Sequence, residues 1–124
     1  MSIQHTVVHF EIPVTDFKRA QAFYANILAG EVEETRMGES RMGFLPREKD
    51  GVGGAIIEEE GAVPGTKGPL LYLNGGADLQ VILDRIEPAG GHILMPKTIV
   101  TPEIGYYAIF LDSEGNRLAL HSEK

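Results

Sequence analysis

Residues 5–14 alternate between apolar and polar positions. Val8, Phe10, Ile12 and Val14 fall on one side, and His9, Glu11 and Pro13 on the other. A period of two is that of a strand with one buried face. The period then lengthens. Phe17, Ala20, Phe23, Tyr24, Ile27 and Leu28 recur at the spacing of one apolar stripe on a helix of about three turns. Asp16 stands where an N-cap acceptor is needed, and Gly30 suits the helix C-terminus. Shorter strands are predicted near 31–36, 41–46 and 53–59, with a turn at Lys49-Asp50-Gly51.

A stretch rich in Pro and Gly, residues 62–69, divides the pattern in two. After it the same order returns. A strand covers 70–74, and a helix covers 78–87 with Leu79, Ile82, Leu83 and Ile86 as its buried stripe. Pro88 and Gly90-Gly91 end that helix. Strands near 92–96, 105–111 and 117–121 complete the half, the last two joined by a turn at Asp112-Ser113-Glu114-Gly115-Asn116. The predicted class is α+β: two βαβββ modules, about 5–60 and 70–122, in a single domain spanning 1–124. Asp16 and Asp78 are 62 residues apart, and the same offset pairs Gly43 with Gly105, Asp50 with Asp112 and Gly53 with Gly115. Paired modules usually leave a cleft, which is where function is expected.

Composition narrows the function classes. The formal net charge of −7 argues against nucleic-acid partners and against an anionic membrane surface. No apolar run approaches the roughly 20 residues of a membrane span. The start, Met1-Ser2-Ile3-Gln4-His5, has neither the basic nor the apolar segment of a signal peptide. With no cysteine, disulfides, thiolate metal sites and cysteine nucleophiles are excluded. The expected location is the cytoplasm.

Several segments together resemble the vicinal oxygen chelate superfamily, which includes glyoxalase I, fosfomycin-resistance enzymes, extradiol dioxygenases and bleomycin-binding proteins. They are His9-Phe-Glu-Ile-Pro-Val-Thr-Asp16, Ala22-Phe23-Tyr24 with Leu28, Ala89-Gly90-Gly91, and the run from Tyr107 through Asp112-Ser-Glu-Gly-Asn116 to Leu120. The resemblance implies sheets curled into a cup, a homodimer, and a small-molecule ligand. In metal-using members it implies ligands from the first and last strands of each module. The first-strand His lies seven residues before the helix-opening Asp, which matches His9 before Asp16. The corresponding residue before Asp78 is Leu71, and the last-strand position of the second module is Ala119; neither is a donor. In the first module the last-strand position falls on Ile57 by the 62-residue offset, or on Glu58 by local alignment. No metal or other cofactor is therefore expected at the usual site.

The candidate chemistry rests on few residues. His9 and Glu11 share a strand face and are candidates for a catalytic base and its carboxylate neighbour; the alternative is a His bonded within the sheet. Tyr106 and Tyr107 point to opposite faces, so one should reach the cavity as a ring to stack on and a hydroxyl to orient a ligand. His121 is a third candidate for substrate binding, with a surface role at the chain end as its alternative. His9, His121 and one of Glu11 or Glu58 form an alternative ligand set for Zn, Ni, Mn or Fe, which would make the chain a lyase or isomerase related to glyoxalase I. The leading expectation is a binding protein of the glyoxalase/bleomycin-resistance type.

Overall fold

The computed structural model describes residues 2–124. The chain divides after Pro64 into two compact units, here modules 1 and 2. Module 1 contains β1 (His9–Pro13), α1 (Phe17–Ile27), β2 (Glu33–Met37), β3 (Ser40–Phe44) and β4 (Gly53–Glu58). Module 2 contains β5 (Leu71–Asn74), α2 (Gln80–Ile86), β6 (His92–Thr101), β7 (Gly105–Leu111) and β8 (Arg117–Ser122). Each is a four-stranded mixed sheet, ordered β1-β4-β3-β2 in module 1 and β5-β8-β7-β6 in module 2. The first and last strands of each module pair in parallel, and the remaining neighbours are antiparallel. The predicted βαβββ order therefore holds in both halves.

Two boundaries differ from the sequence expectation by more than two residues. β1 begins at His9 rather than residue 5, because its parallel partner β4 begins at Gly53 opposite His9. β6 runs on to Thr101 rather than ending near 96, with register irregularities on both sides of Pro96. Proline gives no ladder N–H, and β6 is an edge strand, where bulges accommodate that loss.

The helices form for the reasons their stripes suggest. Phe17, Ala20, Phe23, Tyr24 and Ile27 of α1 are buried, and Asp16 Oδ1 accepts the Arg19 N–H at 3.1 Å as N-cap. In α2 the stripe of Ile82, Leu83 and Ile86 is buried, with Leu79 just before it. Asp78 again stands ahead of the helix, but its Oδ1 accepts from the Gln80 N–H at 2.9 Å and from Lys97 Nζ at 2.9 Å. Opposite α1, a side chain at Gly43 would run into Val32, Ile56 and Phe17, so the close approach of helix and sheet requires glycine there.

A long-range cap repeats in both modules. Glu58, at the end of β4, accepts the Phe17 N–H at 3.0 Å. Ser122, at the end of β8, accepts the Leu79 N–H at 2.9 Å through its hydroxyl oxygen. Each last strand thus satisfies a free N–H at the start of its own module's helix. These contacts also fix which sheet face looks at the helix: that of Ile56 and Glu58 in module 1, and that of Leu118, Leu120 and Ser122 in module 2.

Candidate functional site

Backbone hydrogen bonds show which residues of the two modules correspond. Val14 N–H donates to Ile57 O at 2.9 Å, and Gly75 N–H donates to His121 O at 2.6 Å. Val14 therefore matches Gly75, an offset of 61, and Ile57 matches His121, an offset of 64. The strand registers agree: Glu11 pairs with Ala55 and Tyr72 with Ala119, while Met42 pairs with Ile57 and Tyr107 with His121. The tight turns agree as well, with Gly51 N–H on Glu48 O and Gly115 N–H on Asp112 O. The uniform 62-residue spacing holds at the helix-opening aspartates but fails in the strands. Gly53 with Gly115, Asp50 with Asp112 and Gly43 with Gly105 are coincidences of spacing.

A slip of one residue sends a strand side chain to the opposite face. The residue of module 2 that corresponds to His9 is thus Leu70, not Leu71. Leu71 pairs with Leu118 on the helix-facing side. The chemical conclusion is unchanged, because leucine offers no donor at either position. Ala119 corresponds to Ala55, and both are fully buried. Glu58 corresponds to Ser122. It faces its helix, holds the Phe17 N–H, and has Arg41 Nη1 at 3.7 Å.

On the face of module 2 away from α2, the matched positions carry Tyr72 and Asn74 from β5, Tyr107 from β7, and Ala119 and His121 from β8. An open cleft of about 790 Å³ lies there, lined by Tyr72, Asn74, Val100, Ile104, Tyr107 and His121 among others. That volume falls in the ~300–1,000 Å³ range of small-molecule sites. Ile104, Val100 and Tyr72 expose apolar surface to it. His121 Nε2 lies 2.6 Å from Ile104 O. A carbonyl oxygen only accepts, so this ring nitrogen carries the hydrogen, and Nδ1 of the neutral ring is left as an acceptor. Asn74 Oδ1 accepts the Gly76 N–H at 2.9 Å, which orients its amide.

The same positions in module 1 are filled differently. Met42, Ala55 and Ile57 occupy the places of Tyr107, Ala119 and His121, and they form a buried apolar cluster with Ala62 packed against it. His9 and Glu11 share the strand face as expected, with His9 Nε2 at 3.4 Å from Glu11 Oε2, and both side chains are substantially exposed. The hollow beside His9, shared with Phe44, Arg47 and Gly54, is only about 170 Å³.

The structure thus joins Tyr107 and His121 in one cleft. Tyr106 lies outside it, its ring stacked under Lys97 Nζ at 4.6 Å from the centroid. Tyr72 and Asn74 were not singled out from the sequence. The alternation Leu71-Tyr72-Leu73-Asn74 carried the signal, since it places the polar pair on the face opposite the leucines. Among the described residues, no three His, Asp or Glu side chains converge as metal ligands would. Together with Leu70, Ala119 and the engaged Glu58, this donor set does not fit the metal that the family often binds.

Comparison with known proteins accords with this architecture. The chain is similar to an antibiotic-binding protein from Streptomyces sp. CB03234, with 25% identity over 100% of this chain and 99% of that one, and a TM-score of 0.67. It is similar to a genomically encoded fosfomycin resistance protein from Listeria monocytogenes (20% identity, 99% and 94% covered, TM-score 0.70). It is also similar to a glyoxalase I mutant from Zea mays (18% identity, TM-score 0.72), where 93% of this chain spans 45% of the larger one. Comparison with curated protein sequences finds no match. Residues 6–120 match the family model, and the chain belongs to the Glyoxalase/Bleomycin resistance protein/Dioxygenase superfamily.

Proposed function

We propose that this protein binds a small molecule in the cleft of module 2, on the sheet face that carries Tyr72, Asn74, Tyr107 and His121. One observation carries the reading. Three equivalent sheet positions are Met42, Ala55 and Ile57 in one module and Tyr107, Ala119 and His121 in the other. The first set is buried, whereas the second lines or underlies an open cleft. Replacing hydrophobic side chains by rings with polar edges, beside apolar walls, gives the composition of a ligand pocket. The similarity to an antibiotic-binding protein from Streptomyces supports a small-molecule ligand.

Binding in this reading needs no metal, because Leu70 and Ala119 supply no donor and Glu58 is committed to its helix. His9 and Glu11 enter as a subsidiary polar pair on module 1. The chain is proposed to act in the cytoplasm as a homodimer. Support for the dimer comes from β6, an edge strand exposing Leu94, Ile99 and Val100, whereas the opposite edge type, β2, is charged with Glu33, Glu34 and Arg36.

The test is a screen of small planar aromatic compounds, antibiotics included, by ligand-observed NMR on the untagged protein. Binding should perturb Tyr72, Tyr107 and His121 in protein spectra and be weakened in His121→Phe. Binding that perturbs only other residues, or that survives unchanged in His121→Phe, overturns the assignment of the cleft.

A further inference from the structure

We infer that the cleft of module 2 selects aromatic ligands bearing a hydroxyl group that donates a hydrogen bond to His121 Nδ1. This rests on the binding role proposed for the cleft and specifies its ligand class. His121 Nε2 is 2.6 Å from the Ile104 carbonyl, a partner that can only accept. The contact fixes the tautomer with hydrogen on Nε2, so Nδ1 is an acceptor. The hydrogen bond from the ring N–H to the backbone carbonyl also restrains the orientation of the imidazole.

The surroundings define the remainder of the ligand. Tyr107 is the cross-strand register partner of His121, and Asn74 is its partner on the other side. Tyr72 lies one register step along β5 and is half exposed. Ile104 and Val100 expose apolar surface to the same space. Rings and aliphatic walls favour a flat apolar body, which gains from stacking and burial. The tyrosine hydroxyls both donate and accept, and the Asn74 amide nitrogen donates. Glu123 adds an exposed carboxylate at the chain-end side of the cleft; among the sheet-face side chains the acceptor oriented by a hydrogen bond to backbone is His121 Nδ1. A ligand without a donor would leave that nitrogen desolvated and unpaired, which is how a polar site discriminates.

The matched probes are 2-naphthol, which has a donor hydroxyl, and 2-methoxynaphthalene, which has the same body without one. Dissociation constants are measured by NMR titration of the full chain at a pH where the imidazole is neutral. The naphthol should bind about tenfold more tightly, the order expected for one hydrogen bond to an acceptor that the ligand covers. His121→Phe provides the decisive variant. It keeps a planar ring at the position but has no nitrogen to accept a hydrogen bond. In this variant the two probes should bind alike. Equal binding of both probes to the unaltered protein overturns the hydroxyl selection and leaves the binding cleft standing. A preference for naphthol that persists in His121→Phe overturns it too. If neither probe perturbs Tyr72, Tyr107 or His121, the cleft itself is refuted as an aromatic-binding site, and the inference falls with it.

Discussion

Modules 1 and 2 share a topology, a strand register, a tight turn and a long-range helix cap, yet they treat the sheet face away from the helix in opposite ways. In module 1, Met42, Ala55 and Ile57 bury one another, and Ala62 packs against them. In module 2, Tyr107 and His121 flank the buried Ala119 and open onto a cleft. The register of the central positions is the same in both modules, whereas the longer β6 and the segment after it add Val100 and Ile104 as walls in module 2. At the centre of this face, Tyr for Met and His for Ile separate a buried apolar cluster from a polar, accessible surface, while His9 and Glu11 keep the β1 edge of module 1 polar. A duplicated scaffold can thus keep one half for stability and use the other for recognition.

Exchanging those identities should have the largest effect. Ile57→His places an imidazole where Ile57 is 6% exposed and surrounded by carbon. It should cost roughly 2–4 kcal/mol in urea unfolding, from lost packing and an unpaired polar group. His121→Ile should stay within ~1 kcal/mol of the unaltered protein, because its site is open, while weakening binding of a hydroxyl-bearing ligand about tenfold. Equal costs for the two changes would break the contrast between the modules.

The caps come next. Ser122 is 3% exposed and holds the Leu79 N–H, so Ser122→Ala should cost about 1–2 kcal/mol. Glu58 is more accessible, and Glu58→Ala should cost about 1 kcal/mol or less. If amide exchange in α1 and α2 is unaffected by its own module's substitution, the repeated cap has no energetic content.

Metal and His9 sharpen the functional side. Elemental analysis of untagged protein should find Zn, Ni, Mn and Fe below stoichiometric levels, and His9→Ala should leave that content unchanged. The same variant should weaken ligand binding less than His121→Phe does. One metal ion per chain, lost in His9→Ala, would instead restore a metal-dependent lyase or isomerase.

The smallest effect concerns pH, and it tests the likeness of the modules rather than their difference. Arg41, then Lys18, hydrogen-bond to Glu34 and hold its carboxyl below the ordinary value. Lys97, then the Gln80 N–H, do the same for Asp78. A carboxyl with a lowered pKa in the folded state contributes stability that is fully present above its unfolded pKa. That contribution is lost as pH falls through the folded value. Both groups are solvent-accessible, so the loss should be slight. Glu34→Gln and Asp78→Asn should each flatten the acid limb of the stability profile, and a steeper limb in either variant would contradict the assigned pairs.

The sequence by itself determined the order of elements and the family. Hydrophobic periodicity is local: the stripe from Phe17 to Ile27 and the alternation around Leu71 and Leu73 each report one buried face. Asp16 caps its helix from three residues away, also a local event. The tertiary structure decided the register between the halves. Loops of unequal length shift the first strands by 61 and the last by 64, and one residue is enough to move a strand side chain to the other face. That is why the residue corresponding to His9 is Leu70 rather than Leu71. It decided the role of Glu58 as well. The carboxylate is 41 residues from the N–H it holds, and only the parallel pairing of β1 with β4 brings the two together. The fate of His121 has the same origin: a hydrogen bond to Ile104, 17 residues away, turns a histidine near the chain end into an oriented acceptor.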